Sequence, residues 1–540
     1  MSNSTVTAPA TSPRPATGPA PFSLRLGIGL IGVLTAVLVA GFNEHVTESE
    51  LADIRGGMGI GYDDGTWLTA LYEAFNVSAM AFAPWFAATF SIRRLTVVMV
   101  AIFGLLAAIM PLAPNLESLY VLRSLQGFSA GCLPPMLMSV ALRFLPAGMK
   151  VYGLGAYALT ATFGPNMGTP IGAFLFEGYG LGSVFWEIIP FCLASMICVG
   201  YGLPVDPYKL ERFKLFDWRG ALLGLPGICM LIVALMQGDR LDWFNSPLIR
   251  HLMVGGGFLF VLFLINEWFH PAPFFRLQML KSRDLTYSLV TVAGVLMLAA
   301  VTNVVPADYL IEVRGYRPLQ IVPLSLLVAL PQLLALPLVA ALCNIRWVDC
   351  RVVCGIGLGL MGLTCLGSSY LTSDWIRGNF YIWQAMLIMG EPMAVIPILM
   401  LATGKLAPTD GPFVSGMFNM VKGFANVLAA AVVDILMTWR EHTHSNVLID
   451  HVGNTHLVIN GFGNALQTTR APMDADPASG FRGSLGRLAA AVHDQAVVLA
   501  SSDIYLVMVG VTLALILFTV FTPTRIYPPR PAAPAPAASR

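Results

Sequence analysis

Fourteen mostly apolar runs, each long enough to cross a bilayer, occupy almost the whole chain. About 20 residues at about 1.5 Å each cover about 30 Å of hydrocarbon. No water reaches the backbone there, so such runs must fold as helices. The predicted spans are 26–50, 66–90, 95–113, 116–144, 150–175, 183–203, 217–237, 250–268, 285–309, 319–341, 352–371, 378–403, 413–437 and 501–522. Only 11% of the 540 residues are charged, against about 25% in soluble domains. The fold class is therefore an all-α membrane protein.

An even number of spans puts both termini on one side. Loops on that side carry Arg93, Arg94, Arg143, Lys150, Lys209, Arg212, Lys214, Arg219, Arg276, Lys281, Arg283, Arg346, Arg351 and Lys405. This bias places both tails in the cytoplasm. Residues 1–25 and 523–540, rich in Pro and Ala, read as disordered tails, and residues 1–22 lack the apolar core of a signal peptide. Without a basic patch interleaved with aromatics, a nucleic-acid partner is not expected. The eight cysteines read as small apolar packers. Cys350 and Cys354 lack the second pair or nearby His of a metal site, and no metal or cofactor is expected.

The spans group as six, two and six. An N-terminal bundle covers 26–203. A two-helix insert with charged flanks covers 204–284. A C-terminal bundle covers 285–522 and includes a long external loop, 438–500. Within that loop, 484–499 is predicted to form an amphipathic helix lying on the membrane and running into the last span. Its histidines, His442, His444, His451 and His456, match no helical zinc motif and read as solvated.

Ionisable groups in hydrocarbon cost about 2.5–3.5 kcal/mol each on insertion scales, so each should face a cavity or a partner. They are Glu44 and Glu48 in span 1, Glu73 in span 2, Arg123 in span 4, Glu187 in span 6, Glu391 in span 12, and Lys422 and Asp434 in span 13. Glu44 and Glu48, four residues apart, share a helix face. They serve either as paired proton carriers or as wet carboxylates at the outer end. Glu73, flanked by apolar residues, is a coupling candidate or a structural hydrogen-bond acceptor. Arg123 requires a carboxylate or carbonyl partner, and Gln126 shares its face. In span 5, Gly164, Gly168 and Gly172 recur every four residues, which allows close helix approach. Pro165 and Pro170 interrupt its hydrogen-bond ladder. A gate or hinge fits this pattern.

The strings RSLQGFSAG (span 4) and GPNMGTPIG (span 5) resemble motifs of the major facilitator superfamily. Fourteen spans, with GTWLTALY, FDWRG, GDRLDWFNSP and GKLAPTDGPFVSGMFNMVKG, resemble its drug:proton antiporter group, the EmrB/QacA type. The resemblance implies two six-helix bundles with two extra central helices. It places Arg123 on an arginine implicated in proton transfer, and Gly164, Pro165 and Gly168 on a motif controlling interhelix movement. It places Lys422 on a usual basic position, and Asn43 on the usual first-helix acid, next to Glu44. The loop after span 2 departs from the family: Pro84, Ala88 and Ser91 replace its Gly, acid and second Gly, leaving Arg93 and Arg94.

The expected protein is thus a proton-coupled antiporter of the bacterial inner membrane that exports small amphipathic compounds, with Glu44, Glu73 and Arg123 as the proton-coupling residues: the proton on Glu44 or Glu73, and Arg123 adjusting that acid's affinity for it. Asn43, Gln126, Met136, Glu391 and Lys422 are expected in the substrate cavity, with Met80, Met138, Phe75 and Trp85 as an adaptable apolar lining. A periplasmic adaptor and outer-membrane channel are candidate partners. The alternative is an exporter of a lipid, fatty acid or metabolite on the same fold. An enzyme or sensor is disfavoured, since no nucleophile–base string, metal motif or phosphate loop occurs.

Overall fold

The computed structural model describes residues 23–453 and 477–520, apart from 147, 275, 346 and 405–410. Every regular element among the described residues is helical. The first six long helices are α1 (Leu24–Ser49), α2 (Tyr62–Phe90), α3 (Ile92–Ile109), α4 (Leu116–Phe144), α5 (Lys150–Tyr179) and α6 (Gly182–Gly202). The insert is α7 (Trp218–Gln237) and α8 (Pro247–Phe269). The last six are α9 (Arg283–Glu312), α10 (Pro318–Asn344), α11 (Cys350–Ser368), α12 (Arg377–Thr403), α13 (Gly411–Gly453) and α14 (Pro477–Val520).

Twelve helices among the described residues are apolar and long enough to cross a membrane. Two predicted spans, 66–90 and 150–175, are not among them. They lie on α2 and α5, helices of 29 and 30 residues. These two are the least apolar because much of their surface meets other helices and the interior rather than lipid. Helix starts follow local chemistry: Ser23 caps α1, Asn115 and Ser118 form a capping box on α4, and Asp217 caps α7.

The long external loop is a correction. Residues 438–453 continue α13, which is 43 residues long, and 484–499 belong to α14, which is 44. At about 1.5 Å per residue each helix reaches about 65 Å, roughly twice the hydrocarbon thickness. The 484–499 segment is collinear with its span instead of lying flat. The extension of α13 pairs with the start of the last span through the Asp503 carboxylate, which accepts from Arg440 Nε at 2.7 Å and contacts His444 Nε2 at 2.7 Å. His493 Nδ1 lies 3.1 Å from Glu441. His442, His444 and His451 therefore sit on a helix. His456 and the rest of 454–476 lie outside the described residues.

The hydrogen bonds joining the two six-helix halves cluster on the side where α1 begins, here the basic side. Ser415 Oγ donates to Pro135 O at 2.7 Å, Tyr157 Oη to Asn419 Oδ1 at 2.7 Å, and Asn344 Nδ2 to Gly148 O at 3.4 Å. Toward the opposite, far side, Glu48 is 65% exposed.

The insert covers the seam between α2 and α13. Cys229 of α7 lies 3.2 Å from Ser78 Oγ, Arg240 pairs with Asp63 at 2.6 Å, and Phe260 of α8 meets Phe424. On the basic side, both linkers flanking the insert close on Trp85. Its ring meets Phe213, Phe216 and Phe274 edge-on at 5.3, 4.8 and 6.1 Å. Arg212 lies over Trp85, and Arg276 over Phe413 at the start of α13. Burial, and then the neighbouring Arg276, hold the Arg212 guanidinium below the usual arginine range.

Within the first half, α2 and α4 touch backbone to backbone. A Cβ on Gly127 would sit 2.2 Å from Tyr72 O, and one on Gly131 2.0 Å from Asn76 O. Gly131→Ala should therefore destabilise the protein by about 1–3 kcal/mol, as overpacking does, and lower its melting temperature in detergent. Gly164→Ala, with nothing within 4 Å of the new Cβ, should leave that temperature unchanged.

Candidate functional site

The expected coupling residues converge on the outer halves of α1 and α2. Glu44 and Glu73 are both half-buried. The Asn76 amide bridges them: Nδ2 donates to Glu73 Oε2 at 2.9 Å and to Glu44 Oε2 at 3.3 Å. Asn76 lies one turn after Glu73, so its place on the same face was readable from spacing. Its bridging to α1 was not. Glu48 does not join this pair. It turns outward and contacts His45 Nδ1 at 3.3 Å.

Arg123 is 1% exposed and lies directly behind the acids. Among the described residues it pairs with no carboxylate. Its Nη1 donates to Asn43 Oδ1 at 2.9 Å and to Gln126 Oε1 at 2.7 Å. Its guanidinium stacks 4.0 Å above the Tyr72 ring, and such a desolvated cation–π contact is worth about 2 kcal/mol. Asn43 and Gln126 were expected in the substrate cavity. Both are 0% exposed and act instead as neutral partners of this cation.

Lys422 comes from the other half. Its ammonium lies 5.5 Å from the Tyr157 ring centroid and within electrostatic reach of Glu44 and Glu73. Met136, also expected in the cavity, is fully buried, as are Met138 and Trp85. For the methionines the reason is the closure of α4 against α13 on the basic side, and for Trp85 it is the linkers of the insert. Glu391 lies elsewhere, 1% exposed within the second half, accepting from Gln332 Nε2 at 2.5 Å.

On α5, Gly168 and Gly172 lie against α1, where an added Cβ would sit 2.4 Å from His45 and 3.0 Å from Glu50 and Ser49. Gly164 faces open space. Pro165 and Pro170 lie inside an unbroken helix. Arg93 donates to Leu203 O at 3.3 Å, and Arg94 to Asp206 O at 3.4 Å. Both thus bind the first linker. Sequence reasoning did not single out Tyr72, Asn76, Tyr157, Asn419 and Gln332, because neutral polar residues are common in helices and only their cross-helix partners distinguish these.

Arg123→Leu strands two buried amide oxygens, each costing about 1–3 kcal/mol when left unpaired. The variant should melt at lower temperature in detergent than the parent. An unchanged melting curve would show that the amides have found other donors.

A family model described as the Major Facilitator Superfamily matches residues 26–430. The chain is 22% identical to the multidrug export protein EmrB of Escherichia coli K12 over 494 residues, covering 91% of this chain and 94% of that one. It is 23% identical to the fatty acid resistance protein FarB of Neisseria gonorrhoeae over 460 residues, covering 84% and 87%. Among solved structures, the proton:xylose symporter XylE aligns with a TM-score of 0.56 at 11% identity, covering 94% of this chain and 97% of that one. The human organic anion transporter MFSD10 aligns with a TM-score of 0.54 at 12% identity, covering 90% and 99%. Two six-helix halves closed on one side around half-buried acids, together with this match, make the chain a member of the major facilitator superfamily.

Proposed function

We propose that this transporter is a proton-coupled antiporter that exports small amphipathic compounds across a bacterial inner membrane, with both termini in the cytoplasm. The observation that carries the reading is the pair Glu44 and Glu73, half-buried on the outer halves of α1 and α2 and bridged by one amide, while the two halves are hydrogen-bonded together on the basic side. The basic side is then cytoplasmic, in line with its arginine-rich loops, and the far side is periplasmic.

In this arrangement a proton from the periplasm adds to one of the two carboxyls. Two adjacent carboxylates repel, so neutralising one weakens the other's hold on a cation and changes the attraction of both to Lys422 across the interface. That attraction links the halves, and altering it biases which side opens. Arg123, held by neutral partners, tunes the acids as a fixed positive charge. Gly164, Pro165, Gly168, Pro170 and Gly172 supply the bendable α5 surface on which the halves rock. Arg93 and Arg94 anchor the first linker on the cytoplasmic side. The paired extensions of α13 and α14 offer a docking surface for a periplasmic adaptor and, through it, an outer-membrane channel.

In inside-out vesicles with an imposed proton gradient, adding ethidium should dissipate part of the gradient. A response to a long-chain fatty acid but none to ethidium would select the second reading, a fatty-acid exporter, which the similarity to FarB favours. Glu73→Gln should reduce ethidium-driven proton movement by about 5- to 150-fold, the range of typical coupling energies, with normal insertion. Full activity in that variant would remove Glu73 from the mechanism.

A further inference from the structure

The second half contains a buried carboxyl that the mechanism above does not use. Glu391 lies beside the midpoint of α12, and Gln332 beside the midpoint of α10. Both are at most 1% exposed, yet Gln332 Nε2 donates to Glu391 Oε2 across 59 residues of chain. Asn303 of α9 stands next to the same carboxyl. Gln332 Oε1 makes no hydrogen bond among the described residues. No Lys, Arg or His pairs with Glu391 among those residues, and the neighbouring helices present only uncharged groups at this level. From α11 these are Cys354, which donates to Ala394 O, and Gly357, packed on Met393 and Ala394. From α5 it is Gly155, beside Ile396.

The backbone is interrupted at the same level. Pro331 precedes Gln332 and Pro392 follows Glu391, so each helix loses a hydrogen bond next to its polar side chain. An open, largely apolar groove of ≈ 620 Å³ lies between the same two helices toward their far-side ends, lined by Pro323, Leu326, Leu327, Tyr381, Ile382 and Ala385. By helix rise, Leu327 and Ala385 are only about 8–9 Å from Gln332 and Glu391. An ionised carboxylate without a counter-charge costs several kcal/mol in such surroundings. A packing role would be filled more cheaply by an apolar residue or an amide.

We propose that Glu391 is a second proton-binding carboxyl, housed wholly in the C-terminal half and loaded from the far side, where the α10/α12 groove brings the surface nearest to it. Its role in transport rests on the proton-coupled reading; its titration does not. The step is a simple exchange: a proton from far-side water forms the O–H bond on Glu391 and returns to water when the site is exposed to the other side. The Gln332 amide holds the carboxyl in one orientation in both charge states. A transporter with separate carboxyls in its two halves binds protons at two places in one cycle.

Infrared difference spectra of the purified full-length protein, between acidic and alkaline buffer, test this without any substrate. The parent should show a protonated-carboxyl stretch that Glu391→Gln loses and that the double variant Glu44→Gln/Glu73→Gln retains. Gln332→Leu, which removes the donor but not the acid, should shift the frequency of that band. A spectrum unchanged in Glu391→Gln overturns the proposal. So does an unshifted band in Gln332→Leu, and so does a carboxylate band that responds to added sodium in place of protons. Failure of ethidium to move protons in vesicles would sink the antiporter reading yet leave this band in place.

Discussion

A charge inside lipid must be met by something, and the way Arg123 is met organises the first half of this protein. Its partners are two amide oxygens and an aromatic face. Had a carboxylate neutralised it, that acid would have been held as a permanent counter-ion. Because Asn43, Gln126 and Tyr72 take the guanidinium, Glu44 and Glu73 stay half-exposed and share a neutral amide. The close contact of α2 and α4 at Gly127 and Gly131 makes this possible, since it brings Tyr72 and Asn76 against the helix that carries Arg123.

The closed side is held differently from the family pattern. The loop between α2 and α3 lacks that pattern's glycines and acid, and its two arginines bind the linker after α6. Closure falls instead to hydrogen bonds between the halves, such as Ser415 to Pro135 and Tyr157 to Asn419, beside an aromatic box around Trp85 drawn from both linkers of the insert, with Arg276 reaching the start of α13. The insert thus does more than lengthen the chain. It lies along one seam between the halves and ties its two ends to α2. The other seam, where α5 meets α10, is not covered by it.

Membership of the superfamily, the helical class and the bundle layout were legible in the residues, since lipid permits few alternatives to helices of a set length. The identities of the rare charged residues were legible for the same reason: each is costly enough to stand out. Misreadings arose where polarity had another cause. Residues 438–453 and 484–499 are polar, which suggests an external loop and a surface helix, but they are continuations of the two long helices and meet through His493 and Glu441. Met136 has the chemistry of a cavity wall, and closure of α4 on α13 buries it. Glu44 and Glu48 share a face by spacing, but a single helical turn separates a shared amide from an exposed contact with His45.

What the sequence determined by itself was the helical class and the short list of groups that lipid would not tolerate unattended. Both follow from transfer energies that each residue carries wherever it sits. Only the tertiary structure decided the pairings: Asn76 between two acids, Tyr72 under Arg123, Gln332 on Glu391, Lys422 over Tyr157. A helix's periodicity says which residues share a face. Which faces then meet is set by close packing between segments far apart in the chain, and no local pattern encodes it.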